Sequence, residues 1–339
     1  MPVTTCVFDA YGTLFDVAAA SRVAAEQPGQ EELARVWPKL AADWRTKQLQ
    51  YTWLRAVTGD HADFWQVTCD GLDWALEAAG LDDPALRRRL LDLYRELSAY
   101  PEVPGMLAAL KAQGRTAAIL SNGSPGMLAD AIASAGIADL LPGGAISVEE
   151  VGVFKPDRRV YDLVGQTLGV AADEVLFVSS NGWDAAAAAA YGFHTAWANR
   201  AGAPVDRLPA RPGHVLPDLT GIPSLAERLD DLPLLAHAIL GEVGQGRDYH
   251  LTETAMTLLK HHQYRGNIRE LRNILARAVV IADTNVLDRS VLAKCLDTTP
   301  TAAGRDQTLK AAEQRHLAHL MHEYRGDKQR VASAAGISL

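Results

Sequence analysis

Short apolar runs rich in β-branched and aromatic residues punctuate the first two thirds of the chain, at residues 4–8, 116–120, 175–178 and 193–198. The first three run straight into polar residues: Asp9, then Ser121 with Asn122, then Ser179. Helix-compatible stretches separate them, and this alternation predicts a mostly parallel sheet covered by helices on both faces. Side chains from separate loops converge at the carboxyl ends of such strands, so a ligand site is expected where the polar residues follow.

Two segments depart from the pattern. Between residue 15 and about residue 101 the strand signal disappears, and stretches rich in Trp, Leu, Arg and Ala, including 31–55 and 84–99, read as helices. This predicts a helical cap inserted after the first strand. From Asp230 onward the chain shows helical segments with glycine and charged breaks and no strand signal. The expected architecture is an α/β, Rossmann-like parallel sheet with an inserted helical cap, followed by an all-α C-terminal region. The expected divisions are a core domain (1–15 and 101–229), a cap (16–100), a helical region (230–298) and a last segment (299–339).

A length of 339 residues accommodates more than one domain. With 48% hydrophobic and 22% charged residues the chain has a globular composition. A formal net charge of -8 gives no global attraction to nucleic acid. No secretory leader or membrane-spanning run is read, so a cytoplasmic location is expected. Cys6, Cys69 and Cys295 are far apart and lack CxxC spacing, which indicates neither a disulfide framework nor a zinc site. Cys6 reads as a buried structural thiol.

Asp9 carries the first chemical signal. It leaves an apolar strand and enters a turn in which Gly12 can supply unusual backbone angles and Thr13 a hydroxyl. A carboxylate with a pKa of roughly 4 is ionised at neutral pH and can act as a nucleophile if a cation such as Lys155 offsets its burial. The same residue could simply cap the turn. Asp184, ahead of the alanine-rich stretch 185–190, could likewise be a plain helix N-cap.

The motifs FDAYGTLFD, WRTKQLQYTWLR, LSNGSP, FKPDRRVYDL and FVSSNGWDA, in that order over about residues 1–229, resemble those of L-2-haloacid dehalogenases of the haloacid dehalogenase superfamily. The resemblance implies that Asp9 displaces halide from a 2-haloacid and forms an ester that water cleaves, yielding a D-2-hydroxyacid. It implies that Thr13, Ser121, Lys155 and Ser179 supply donors, and that Arg45 with Asn122 receives the halide. It assigns the hydrolytic water to Asp184 with Asn181 and Lys155, places Tyr161 beside the lysine, and forms an apolar pocket from Tyr11, Leu49, Phe64 and Trp183. No metal or cofactor is implied; the expected partners are a small 2-haloacid and water, with a homodimer left open. Metal-dependent phosphatases of the superfamily carry a second aspartate two residues after the nucleophile, where this chain has Tyr11, whose pKa near ~10 is unsuited to that role.

DDLPLLA at 230–236 and YRGNIRELRN at 264–273 resemble the AAA+ lid of sigma-54-dependent transcriptional activators, in which the arginine matching Arg269 senses nucleotide. No GxxxxGK[ST] loop accompanies them, so ATP hydrolysis is not expected. Residues 306–335 resemble the opening helices of the activators' DNA-binding module. The sequence reaches Leu339 where the recognition helix would begin, so specific DNA binding is not expected, and a haloacid-sensing regulator is the weaker alternative to an enzyme. His316, His319 and His322 read as a solvated stripe rather than a metal site.

Overall fold

Six parallel strands form the main sheet in the order β3-β2-β1-β4-β5-β6: β1 (Thr5–Phe8), β2 (Thr116–Ser121), β3 (Ala145–Ser147), β4 (Val175–Ser179), β5 (His194–Ala198) and β6 (His214–Leu216). The computed structural model describes residues 2–297 apart from 245, 263, 265 and 266. Every residue of β1, β4 and β5 is buried, as expected of strands covered on both faces, and this is why they read as continuous apolar runs rather than alternating ones. Cys6 is fully buried in β1, and burial pushes its thiol up to about 12. The edge strands β3 and β6 escape the sequence reading. Each has only three residues, and β6 is half-buried, too little for a period to register.

The chain leaves the sheet after β1 and returns beside its own exit. Phe15 and Ala99 form an antiparallel bridge, the Asp16 N–H donates to the Ser98 carbonyl (3.0 Å), and the Tyr100 N–H donates to the Leu14 carbonyl (2.9 Å). The excursion between these points is helical: α1 (Ala19–Ala25), α2 (Glu31–Thr58), α3 (Phe64–Ala79) and α4 (Pro84–Arg95). Asp63 caps α3 by accepting from the Gln66 N–H, and Asp83 caps α4 directly ahead of Pro84. The buried positions of α2, Leu33, Leu40, Trp44, Gln48 and Thr52, fall on one face at helical spacing. That face meets α3 closely at Gly71, where an added Cβ would lie 3.3 Å from the Gln48 nitrogen and from Trp44 Cδ1.

After this insertion, α5 (Val103–Ala112), α6 (Pro125–Ala135), α7 (Arg158–Leu168) and α8 (Gly182–Tyr191) alternate with the strands. The next helix, α9 (Ile222–Val243), runs without a break through the sequence-read boundary at 229/230, with Pro233 inside it. Its Leu225, Ala226 and Leu229 join the main core. Asp230 accepts from the Val3 N–H (2.7 Å) and from Arg115 (2.7 Å), tying the helix to β1 and to the start of β2.

Beyond α9 the described residues form α10 (Glu253–Lys260), α11 (Asn267–Ile281) and α12 (Arg289–Asp297), with a parallel pair of two-residue strands, β7 (His250–Leu251) and β8 (Val286–Leu287). This region is helical, but the expectation that it holds no strand is corrected: two residues per strand lie below what alternation can show. A cavity of about 630 Å³ lies among β6, α9, α10 and α11, lined by residues including His214, Leu229, Leu232, Lys260 and Leu271. No described helix is long and apolar enough to cross a membrane. The last segment, 299–339, with its histidine stripe at His316, His319 and His322, lies outside the described residues.

Candidate active site

Strands β2, β1 and β4 are neighbours, and their carboxyl ends carry Ser121, Asp9 and Ser179. Asp9 is 7% exposed and accepts three side-chain donors. Thr13 Oγ1 (2.9 Å) and Asn181 Nδ2 (3.1 Å) both reach Oδ2, while Lys155 Nζ (3.2 Å) reaches Oδ1. The Asp9 side chain therefore serves this buried cluster rather than capping its own turn.

Lys155 is completely enclosed, with its Nζ 4.9 Å from the centroid of the Phe177 ring. Burial works to strip its proton, but the Asp184 and Asp9 carboxylates outweigh burial and hold its pKa above the usual lysine value of 10.5. Asp184 accepts from Lys155 at Oδ2 (3.0 Å) and from the Tyr161 hydroxyl at Oδ1 (2.7 Å). Burial pushes the Asp184 carboxyl up against the pull of Lys155. The plain N-cap reading of Asp184 fails: Asn181 occupies the N-cap of α8, and Asp184 lies inside the first turn with its side chain committed to Lys155 and Tyr161.

The remaining donors are held locally. Ser121 Oγ accepts the Gly123 N–H (3.0 Å), and Ser179 Oγ accepts the Asn181 N–H (3.1 Å), which fixes the loop that presents Asn181. Asn122 Oδ1 accepts the Lys155 N–H (3.0 Å), so this side chain braces the lysine backbone. Tyr161 stands behind Asp184, 1% exposed and packed among Phe177, Tyr191 and Phe193; it orients a carboxylate instead of lining an open pocket. Burial and the neighbouring Asp184 hold its hydroxyl protonated, as a donor must be.

The helical insertion contributes the other wall. Arg45 Nη2 donates to the Tyr11 carbonyl (3.0 Å) in the turn just after Asp9. Arg45, Leu49 and Trp53 succeed one another at four-residue spacing on one face of α2, and Trp53 meets Trp183 edge-on with ring centroids 5.3 Å apart. Tyr11 packs against Phe64 (5.8 Å) and stacks on Tyr94 (5.6 Å). The site therefore sits between the strand ends and the insertion.

Several contributors were not singled out from the sequence. Ser180 donates its N–H to Thr13 Oγ1 (2.8 Å), and its hydroxyl lies 3.1 Å from the same oxygen, fixing the threonine so that its single proton goes to Asp9. Gly123 is required by space, since an added Cβ would lie 2.7 Å from Tyr11 Cε2. Arg200 donates to the Thr13 carbonyl (3.2 Å) while pairing with Glu102. Ser180 stood within a quoted motif next to Ser179; for Arg200 the sequence offers no local signal.

A carboxylate at the carboxyl end of a central parallel strand, held by a buried lysine and faced by a second buried carboxylate, marks the candidate active site of a hydrolase built on a parallel α/β sheet. Residues 3–192 match the family model for haloacid dehalogenase-like hydrolases. The chain belongs to the haloacid dehalogenase-like hydrolase family. It is 46% identical to (S)-2-haloacid dehalogenase 1 of Pseudomonas sp. (strain CBS-3) over 67% of this chain and 98% of that protein. It is 40% identical to the (S)-2-haloacid dehalogenase of Pseudomonas sp. (strain YL), over 65% and 93% respectively. Among solved structures, L-2-haloacid dehalogenase from Xanthobacter autotrophicus with chloropropionic acid covalently bound superposes with a TM-score of 0.59 at 36% identity, covering 66% of this chain and 98% of that one. Residues 226–309 match the model of an AAA+ ATPase lid domain.

Proposed function

We propose that the protein is an (S)-2-haloacid dehalogenase, which hydrolyses L-2-haloacids to D-2-hydroxyacids and halide. The observation that carries this reading is the asymmetric solvation of Asp9. Oδ2 receives two donors, Thr13 and Asn181, whereas Oδ1 receives Lys155 alone. Oδ1 keeps the freer lone pair and is the attacking oxygen. It forms a bond to C2 of the haloacid from the side opposite the halogen, the carbon–halogen bond breaks, and halide leaves with both electrons of that bond.

Oδ2 is then the carbonyl oxygen of the resulting ester. When water adds to the Asp9 carboxyl carbon, negative charge develops on Oδ2, where Thr13 and Asn181 already point. Asp184 takes one proton from the water and returns it to the departing alkoxide oxygen, the one that Asp9 contributed, as the ester C–O bond breaks and the hydroxyacid leaves. The regenerated carboxylate carries the water's oxygen, and the water's second proton passes to solvent. Tyr161 and Lys155 hold Asp184 in place for this step.

Charge completes the argument. With both carboxylates ionised, Asp9, Lys155 and Asp184 together carry one net negative charge, and the substrate brings another. Arg45, joined to the turn after Asp9, is the cation that offsets them and receives anion; a guanidinium fork suits a carboxylate or a departing halide. Leu49, Phe64, Trp183 and Tyr11 supply the apolar wall, with Ser121, Asn122 and Ser179 bracing the loops. Halide release measured with Asp9→Asn as control tests the reading. For residues 230–298 we propose a lid-like segment akin to that of sigma-54-dependent activators and passive in the reaction.

A further inference from the structure

Gln48 is an amide buried inside the helical insertion, and its orientation is dictated by a chain of hydrogen bonds that ends on Arg45. The Thr68 hydroxyl has one proton and donates it to the Phe64 carbonyl (2.7 Å). Thr68 Oγ1 can therefore only accept from Gln48, and Gln48 Nε2 lies 2.7 Å away. The Tyr94 hydroxyl stands 3.1 Å from Nε2 and 3.2 Å from Oε1, bridging the two ends of the amide. Both amide protons are then directed at Thr68 and Tyr94, and Oε1 is left facing Arg45 Nη1 at 3.4 Å. Nη2 of the same guanidinium is held by the Tyr11 carbonyl (3.0 Å). Arg45 is thus gripped at two nitrogens by neutral acceptors.

We propose that Gln48 is a positioning residue: its pinned, uncharged amide oxygen aims the Arg45 guanidinium at the anion site without neutralising it. This deepens the reading of Arg45 as the anion-receiving cation and rests on it. An acidic residue at this position would orient the arginine at least as firmly, but it would cancel the positive charge that a site already bearing two carboxylates needs for an anionic substrate. The close approach of α2 and α3 at Gly71 and the hydrogen bond from Trp44 Nε1 to the Thr68 carbonyl (2.8 Å) lock the helix pair that carries this chain of contacts.

The test reads chloride binding by chloride-35 NMR line broadening, which needs no turnover, with Arg45→Ala defining the contribution of this site. Gln48→Glu, nearly identical in shape, adds a negative charge beside Arg45 and gives up the donor to Thr68, and is expected to weaken that contribution about tenfold. Gln48→Met and Thr68→Val, which loosen the arginine without adding charge, are expected to weaken it about threefold, with thermal melting showing that each variant is folded. If Gln48→Glu does not fold, the other two variants carry the test. Wild-type chloride affinity in any folded Gln48 variant overturns the proposal, as does wild-type broadening no greater than that of Arg45→Ala. Should chloride behave as expected while no haloacid releases halide, the dehalogenase reading fails and the positioning role of Gln48 stands.

Discussion

Asp9 and Asp184 are chemically alike and differ in what surrounds them. Asp9 accepts Thr13, Asn181 and Lys155 and keeps an edge toward solvent, whereas Asp184 is fully enclosed between Lys155 and Tyr161. Asp9→Asn is expected to lower turnover by at least about 10³-fold, because an amide is a far poorer nucleophile; single-turnover halide release checks it. Arg45→Lys is expected to lower kcat/KM on the order of 10- to 100-fold, since a point charge replaces a fork; steady-state kinetics checks it. The pH dependence follows from Asp184. Its carboxyl titrates above the ordinary aspartate value of 3.8, so the acid limb of the ester-hydrolysis step, read in kcat, should lie above that value, and Tyr161→Phe, which removes a donor that favours the charged form, should move it higher still. An acid limb left in place by Tyr161→Phe would count against Asp184 as the titrating base. Lys155 is raised, so the stability from its ion pairs is fully present below 10.5 and lost only as pH rises through its higher folded value.

At the scale of elements, legibility followed length and burial. The runs that became β1, β2, β4 and β5 were readable because their residues are apolar and buried on both faces. Edge strands β3 and β6 and the two-residue pair β7 and β8 were not, because pairing there depends on what lies alongside in space. The long α2 was legible from its Trp-, Leu-, Arg- and Ala-rich composition, with its end at Thr58 rather than Arg55, where Gly59 adopts a left-handed turn. For the site, the positions of Asp9, Lys155 and Asp184 were legible through their motifs. Gln48, Thr68 and Tyr94 were not, since their partnership spans three helices and only tertiary packing creates it. The boundary at 229/230 was drawn on composition, yet α9 crosses it and Asp230 pairs with Arg115, only 8% exposed at its side chain. Asp230→Ala should cost about 1–3 kcal/mol by taking away the carboxylate that neutralises that arginine and accepts the Val3 N–H; denaturant unfolding checks it, and an unchanged midpoint would mean the pair contributes nothing.

The whole molecule joins a chain region that matches complete dehalogenases to a segment that matches an AAA+ lid. The site is built between the strand ends and the insertion within residues 9–200, and none of its contacts described above involves α10 or α11. A chain ending after Val243, which preserves α9 whole, is therefore expected to fold and to keep kcat/KM within about threefold of the full protein. The most direct test of the central claim is halide release from L- and D-2-chloropropionate by the purified full-length protein in EDTA, with Asp9→Asn alongside. The account predicts chloride release from the L form alone, undiminished by the chelator and lost in the variant. Release that survives Asp9→Asn, or no release from the L form, would contradict it.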